Sequence, residues 1–186
     1  MTTTAPTVQR AIALLALQIA EGYAAAGTHE EGGNNRGDQV EFFQHLMGGA
    51  PGDSWCADFV CSCFVKGFAR HFGKPEDRAS LPSYVHQVGA LMVPLSGSCN
   101  DLMLAARAKG ILHTRDFNPF PGDIVLYDMP PDNALGHPHH VGIVRSWPEV
   151  VEGNTSSGIA GSQGDGDGVF LRTRSRADVF GFIHFS

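Results

Sequence analysis

Residues 139–154 read "HHVGIVRSWPEVVEGN", and the way this stretch divides decides the fold. "HHVGIVRS" (139–146) and "EVVEGN" (149–154) are short, rich in β-branched residues and parted by a proline-containing break, the pattern of two strands. "GDIVLYD" (122–128), "GVFLRTR" (168–174) and "FGFIHF" (180–185) have the same character, with Gly, Pro and Asn between them. The second half of the chain therefore reads as a run of adjacent strands.

The first half has a different period. From Thr7 to about Ala25, Ile12, Leu15, Ile19 and Tyr23 recur at helical spacing. "GTHEEGGNNRG" (27–37) is a loop, after which Asp38 and Glu41 predict an N-cap and its reciprocal partner for a short helix over 39–47. "GGAPGD" (48–53) is a second break. A helix from about Trp55 to Phe72 follows, with Phe59, Val60, Cys63, Phe64, Gly67 and Phe68 on one apolar face. "LPSYVHQVGALMV" (81–93) and "NDLMLAARAKG" (100–110) predict two further helical pieces. Helices first and strands afterwards imply an α+β fold, with N-terminal helices packed on an antiparallel β-sheet. Neither an internal repeat nor a linker divides the chain, so residues 1–186 read as one domain, with 1–6 a polar tail expected to be disordered.

With a net charge of −6 and a pI near 5.8, the chain has no broad basic footprint, which disfavours nucleic acid and anionic lipid as partners. "AIALLALQIA" (11–20) is preceded by Arg10 as its only basic residue and continues into helix-like sequence, so it reads as a first helix rather than a signal peptide. No stretch approaches the roughly 20 apolar residues of a membrane span. The expectation is a protein made in the cytoplasm, with no membrane partner. Cysteines stand at 56, 61, 63 and 99, a spacing that suggests no disulfide scaffold, and none is predicted.

Candidate chemistry begins at "GDSWCADFV" (52–60). Asp53 or Ser54 is a natural N-cap, which puts Cys56 in the first turn of its helix. Exposed N–H groups and the helix dipole favour a thiolate there, and the same N–H groups can receive an oxyanion. Asp53 and Asp58 oppose the thiolate, so a nearby imidazolium is required. Alternation along "HHVGIV" puts His140, Gly142 and Val144 on one face, and His139, Val141 and Ile143 on the other. Glu152 and Asn154 share a face of the next strand, where a carboxylate or carboxamide can fix the tautomer and orientation of an imidazole. The candidate catalytic set is Cys56, His140, Glu152 and Asn154. Cys61 and Cys63 lack such company and read as core positions.

The segments "GNNRG" (33–37), "WCADFV" (55–60), "PGDIVLYD" (121–128), "HVGIV" (140–144), "VEGNTS" (151–156) and "GFIHF" (181–185) together resemble the CHAP family. Its members are cysteine- and histidine-dependent amidohydrolases and peptidases, related to NlpC-type cell-wall peptidases and more distantly to papain. The resemblance covers roughly residues 8–186. It implies a papain-like fold and cleavage of amide bonds in bacterial peptidoglycan. By position, Cys56 matches the nucleophile, His140 the general base, Glu152 the group that orients it, and Asn154 a supporting polar residue. The chain departs from the family in the insert "MPPDNALGHP" and in the extra histidines His137 and His139. His140 is the expected base because it directly precedes Val-Gly-Ile-Val.

The resemblance further implies a monomer acting on the cell wall, either in phage lysis or after delivery by a secretion machine. A delivered toxin would have an immunity protein as partner. The alternatives are a catalytically idle CHAP-like module that binds wall fragments or a protein, and an enzyme that passes its acyl group to an amine. No cofactor and no metal are expected. "GHPHH" (136–140) lacks a completing Cys or acidic pair. "GDGDG" (164–168) lacks the later Glu of a calcium loop and reads as a hairpin. "EEGGNNRG" (30–37) could bind calcium through its acidic and amide oxygens, but reads better as a turn-rich loop lining the cleft, with Asn34 and Asn35 bonded to backbone or substrate.

Overall fold

The helix that begins at Cys56 organises the rest of the chain. In the computed structural model, which describes residues 7–129, 136–156 and 166–186, α3 spans Cys56–His71, and every residue from Cys56 to Val65 is buried. A helix buried on all sides has to be enclosed. Helix α1 (Val8–Ala25) lies against it, and so do two strands, β3 (His140–Ser146) and β4 (Glu149–Thr155). Gly67 lets α1 come close, since a Cβ there would stand 2.9 Å from the Ile12 carbonyl oxygen and 3.0 Å from the Ala16 nitrogen.

Helix α2 spans Asp38–Leu46, but its cap differs from the expected one. Gly37 is the N-cap residue with φ 121°, and no side chain caps the helix. Asp38 is the first helical residue and pairs with Arg78 at 2.7 Å, while Glu41 pairs with Arg36 at 2.9 Å. Both carboxylates thus serve ion pairs. The segment expected as one helix over 81–93 is a 3₁₀ turn, Leu81–Tyr84, followed by α4, Val85–Leu91. Helix α5, Cys99–Ala108, starts one residue earlier than expected because the Ser98 hydroxyl accepts from the Asp101 N–H at 3.2 Å.

The described strands form a six-stranded sheet, antiparallel at every pairing, in the order β1-β6-β2-β3-β4-β5. Besides β3 and β4 these are β1 (Leu112–Thr114), β2 (Ile124–Tyr127), β5 (Gly168–Thr173) and β6 (Val179–Ile183). Strand β1 was not among the expected ones. At 3 residues it is too short for alternation to show, and it exists by pairing with β6. Ile124, Leu126, Val141, Ile143 and Val151 join the helices in the main core. Val125, Tyr127, Val144, Val150 and Phe182 form a second cluster with Trp147.

Two residues of "PGDIV" tie the layers together. Gly122, at φ 92°, sits where a Cβ would fall 2.7 Å from the Ala13 carbonyl oxygen of α1. The buried Asp123 carboxylate accepts from Arg10 Nη1 at 3.0 Å and from the Phe120 N–H at 2.8 Å, with His184 Nδ1 at 3.1 Å. The expected class, helices on an antiparallel sheet, is the architecture found. Residues 1–6, part of "MPPDNALGHP" and part of "GDGDG" lie outside the described residues. Among the described residues no helix is long and apolar enough to cross a membrane.

Candidate active site

Asp53 and Ser54 do not cap α3. The N-cap residue is Trp55, without a side-chain cap, and Asp53 Oδ2 accepts from the Ala50 N–H at 2.8 Å to close the preceding turn. Cys56 is therefore the first residue of α3, where the Ala57 N–H helps to lower its thiol. Its position is set by a brace on Trp55. The indole Nε1–H donates to Glu30 Oε1 at 2.8 Å, and Glu30 Oε2 accepts from the Asn35 N–H at 2.8 Å. The buried Gln44 amide then donates to the carbonyl oxygens of Asn35 at 3.0 Å and Asp53 at 2.6 Å. Both Glu30 oxygens are thus engaged by protein donors, and the 30–37 loop holds the start of α3.

Asn154 acts on the same place. At φ 52° and buried, it is oriented so that its side-chain oxygen accepts from the Trp55 backbone N–H at 3.2 Å, while its nitrogen donates to the Gly166 carbonyl at 2.9 Å. Strand β4 thereby grips the residue just before Cys56. Asn154 bears on the helix end, where the sequence suggested support for the imidazole.

Strand β3 brings His140 to the sulfur, and β4 brings Glu152 to His140. The His140 ring lies near enough to the Cys56 sulfur for each to shift the other's titration. Its Nε2 is 2.9 Å from Glu152 Oε2, which leaves Nδ1 for the sulfur. Glu152 is fully buried, and Arg174 grips it with two donors: Nε at 2.8 Å from Oε1, and Nη2 on Oε2. Tyr127 stacks on the His140 ring at 5.8 Å and carries the Arg174 guanidinium over its own face at 5.5 Å. Gly142 makes room for Glu152, since a Cβ there would stand 2.7 Å from Glu152 Cγ. His139 turns elsewhere, with Nε2 accepting from the Met129 N–H at 3.4 Å and Nδ1 3.7 Å from Asp128 Oδ1.

The charges along this chain alternate. Donation from the Cys99 S–H, with help from His140, holds the Cys56 thiol well below its usual range despite burial. Burial works to lower His140, but the Glu152 charge and the Cys56 sulfur raise it to about 9. Burial works to raise Glu152, but the Arg174 hydrogen bonds and the His140 charge bring it down to about 2. Thiolate, imidazolium, carboxylate and guanidinium follow one another, each neutralising the next.

Asp58 does not oppose the thiolate as the sequence suggested. It is 2% exposed with Oδ1 unpartnered, and burial, followed by the nearby Cys56 and Asp53 charges, pushes it up to about 8. It is uncharged at neutral pH. The folded state thus holds a proton that the unfolded chain releases at its ordinary 3.8, and the stability this supplies is lost as pH rises toward 8. Asp58→Asn is expected to gain on the native chain by on the order of 6 kcal/mol between about pH 4 and pH 8. Denaturant unfolding across that range measures it, and a difference independent of pH would exclude the assignment.

Three participants escaped the sequence reading: Arg174, Tyr127 and Cys99. Arg174 ends the alternating run "FLRTR", yet its approach to Glu152 depends on how β5 registers against β4, with Glu152 opposite Phe170. No spacing within either strand encodes that register. Among the described residues no group of three or more His, Cys, Asp or Glu side chains could hold a metal ion. Comparison with protein-family models, with curated proteins and with solved structures finds no match to this chain.

Proposed function

We propose that this protein is a cysteine-dependent amide hydrolase acting on bacterial peptidoglycan, with Cys56 as nucleophile, His140 as acid and base, and Glu152 orienting the imidazole. The observation that carries the reading is the hydrogen-bonded line His140–Glu152–Arg174 brought beside Cys56, whose titration it shifts, at a helix N-terminus. The Cys56 thiolate attacks an amide carbonyl, and N–H groups at the start of α3 receive the oxyanion. The His140 imidazolium gives its proton to the departing amine. Neutral His140 then takes a proton from water as that water attacks the thioester, which restores the ion pair. Asn154 acts by holding Trp55, and through it Cys56. A cysteine helix packed on an antiparallel sheet that supplies His and Glu from successive strands supports a papain-like arrangement. The substrate class rests on the CHAP-like "WCADFV", "HVGIV" and "VEGNTS".

The test is mass spectrometry of soluble fragments from purified peptidoglycan of several wall chemistries, with Cys56→Ala protein alongside. Cysteine-dependent fragments are expected, and their new termini name the bond: a freed stem N-terminus for an amidase, a cut between stem residues for an endopeptidase. No cysteine-dependent fragment from any wall type would overturn the hydrolase reading and favour a binding module.

Arg174 enters this reaction as a positioning residue. Arg174→Gln removes the donors that keep Glu152 ionised, so Glu152 takes up a proton at higher pH and releases its hold on the imidazolium. The acid limb of Cys56 alkylation by iodoacetamide is expected to move up by about one pH unit. An unmoved limb would exclude that role.

A further inference from the structure

Cys99 is the first residue of α5, as Cys56 is of α3, and the two sulfurs lie 3.8 Å apart. The segment that delivers Cys99 is fastened to α3 at two points. The Cys61 S–H donates to the Ser96 carbonyl at 3.4 Å, and the segment's own turn is closed by the Ser98 N–H donating to Ser96 Oγ at 3.1 Å. Gly97 lies on the Asp58 carboxyl so closely that a Cβ there would fall 2.5 Å from Oδ1. Glycine is what permits this approach. A disulfide needs its sulfurs about 2.05 Å apart, so bonding requires a further approach of roughly 2 Å.

We propose that Cys56 and Cys99 form a redox pair, a reversible modification site at the head of α3 that a hydroperoxide closes to a disulfide. The Cys56 thiolate attacks the peroxide oxygen and breaks the O–O bond, giving Cys56 sulfenic acid and hydroxide. The Cys99 sulfur then attacks the sulfenic sulfur, the S–S bond forms, and the departing hydroxyl leaves as water with the Cys99 proton. The two thiols lose two electrons and the peroxide gains them. A dithiol reductant reverses the step by exchange. Cys56 and Cys99 are each 6% exposed, which leaves access for a small oxidant. Cys61 and Cys63 are enclosed, and burial, the largest influence on both, pushes Cys61 up to about 12 and Cys63 further, so both remain neutral thiols.

This inference needs the two thiols and not the hydrolytic reading, and its readout is mass rather than activity. The reduced full chain is treated with increasing hydrogen peroxide, blocked with iodoacetamide and digested without reductant. The expected result is a linked peptide pair containing Cys56 and Cys99, a loss of about 2 Da from the intact chain, and full return with dithiothreitol. Alkylation of Cys56 in the oxidised protein is expected to fall at least about tenfold. In Cys99→Ser, Cys56 should instead gain about 32 Da as sulfinic acid, which dithiothreitol does not reverse. Linked peptides through Cys61 or Cys63, an oxidised native chain without a linked pair, or no oxidation at all would each overturn the proposal. The native protein alone decides it, whatever the fold of the variant.

Discussion

Cys56→Ala is expected to slow fragment release from peptidoglycan by about 10⁴-fold or more, because the nucleophile has no substitute within reach. Cys61 and Cys63 are sealed in the core, and Cys99, once its hydrogen bond to Cys56 is gone, is still pushed up by burial and lacks the place at the head of α3. The variant loses one buried sulfur, a cost of about 1 kcal/mol, so its melting temperature should stay within a few degrees of the native one. Fold and activity are thereby separated. In the proposed mechanism the acid that protonates the leaving amine is His140, raised to about 9, so turnover should hold through neutral pH and fall as pH climbs through that value. Full activity in Cys56→Ala, or a fall of activity already near the ordinary imidazole range, would remove Cys56 or His140 from the mechanism.

Gly142→Val carries the largest expected loss of stability. A Cβ at this position would lie 2.5 Å from Val150 Cγ1, 2.7 Å from Glu152 Cγ and 3.0 Å from the Val151 carbonyl oxygen. All three neighbours belong to β4, whose residues there are buried and paired on both sides. The strand cannot yield locally, so overpacking of about 3 kcal/mol is expected, or a melting temperature lower by roughly 6–12 °C. The displaced atom chain is that of Glu152, so the His140 contact is lost along with the packing. A melt unchanged from the native protein, with Cys56 alkylated at the native rate in mild acid, would show that Gly142 is no such seat.

The parts of this architecture legible in the sequence are those that a single element encodes. Glu152 followed from the two-residue period of its strand and Cys56 from its place between a turn and an apolar helix, while that period only set His140 and His139 on opposite faces and the Val-Gly-Ile-Val after His140 singled it out. What stayed hidden depends on two elements meeting. Cys99 reaches Cys56 through the fastening of 96–99 to α3, and Arg174 reaches Glu152 through the register of β5. The capping assignments erred because Asp53 and Asp38 had competing partners, the Ala50 N–H and Arg78, that local sequence does not reveal. Strand β1 was missed because only pairing with β6 makes it a strand.

The burial of α3 from its first residue has a consequence for engineering. The aim of the sulfur and the integrity of the core are one property here, since Cys56 is carried by the same helix that Phe59, Phe64 and Val65 anchor. If the proposed function holds, variation for new substrates has to come from the surrounding loops, because any repacking of α3 moves the Cys56 sulfur as well. The converse is useful in practice: the reactivity of Cys56 toward an alkylating reagent reports on the packing of the whole interior, and its decay on heating would track global unfolding without any spectroscopic label.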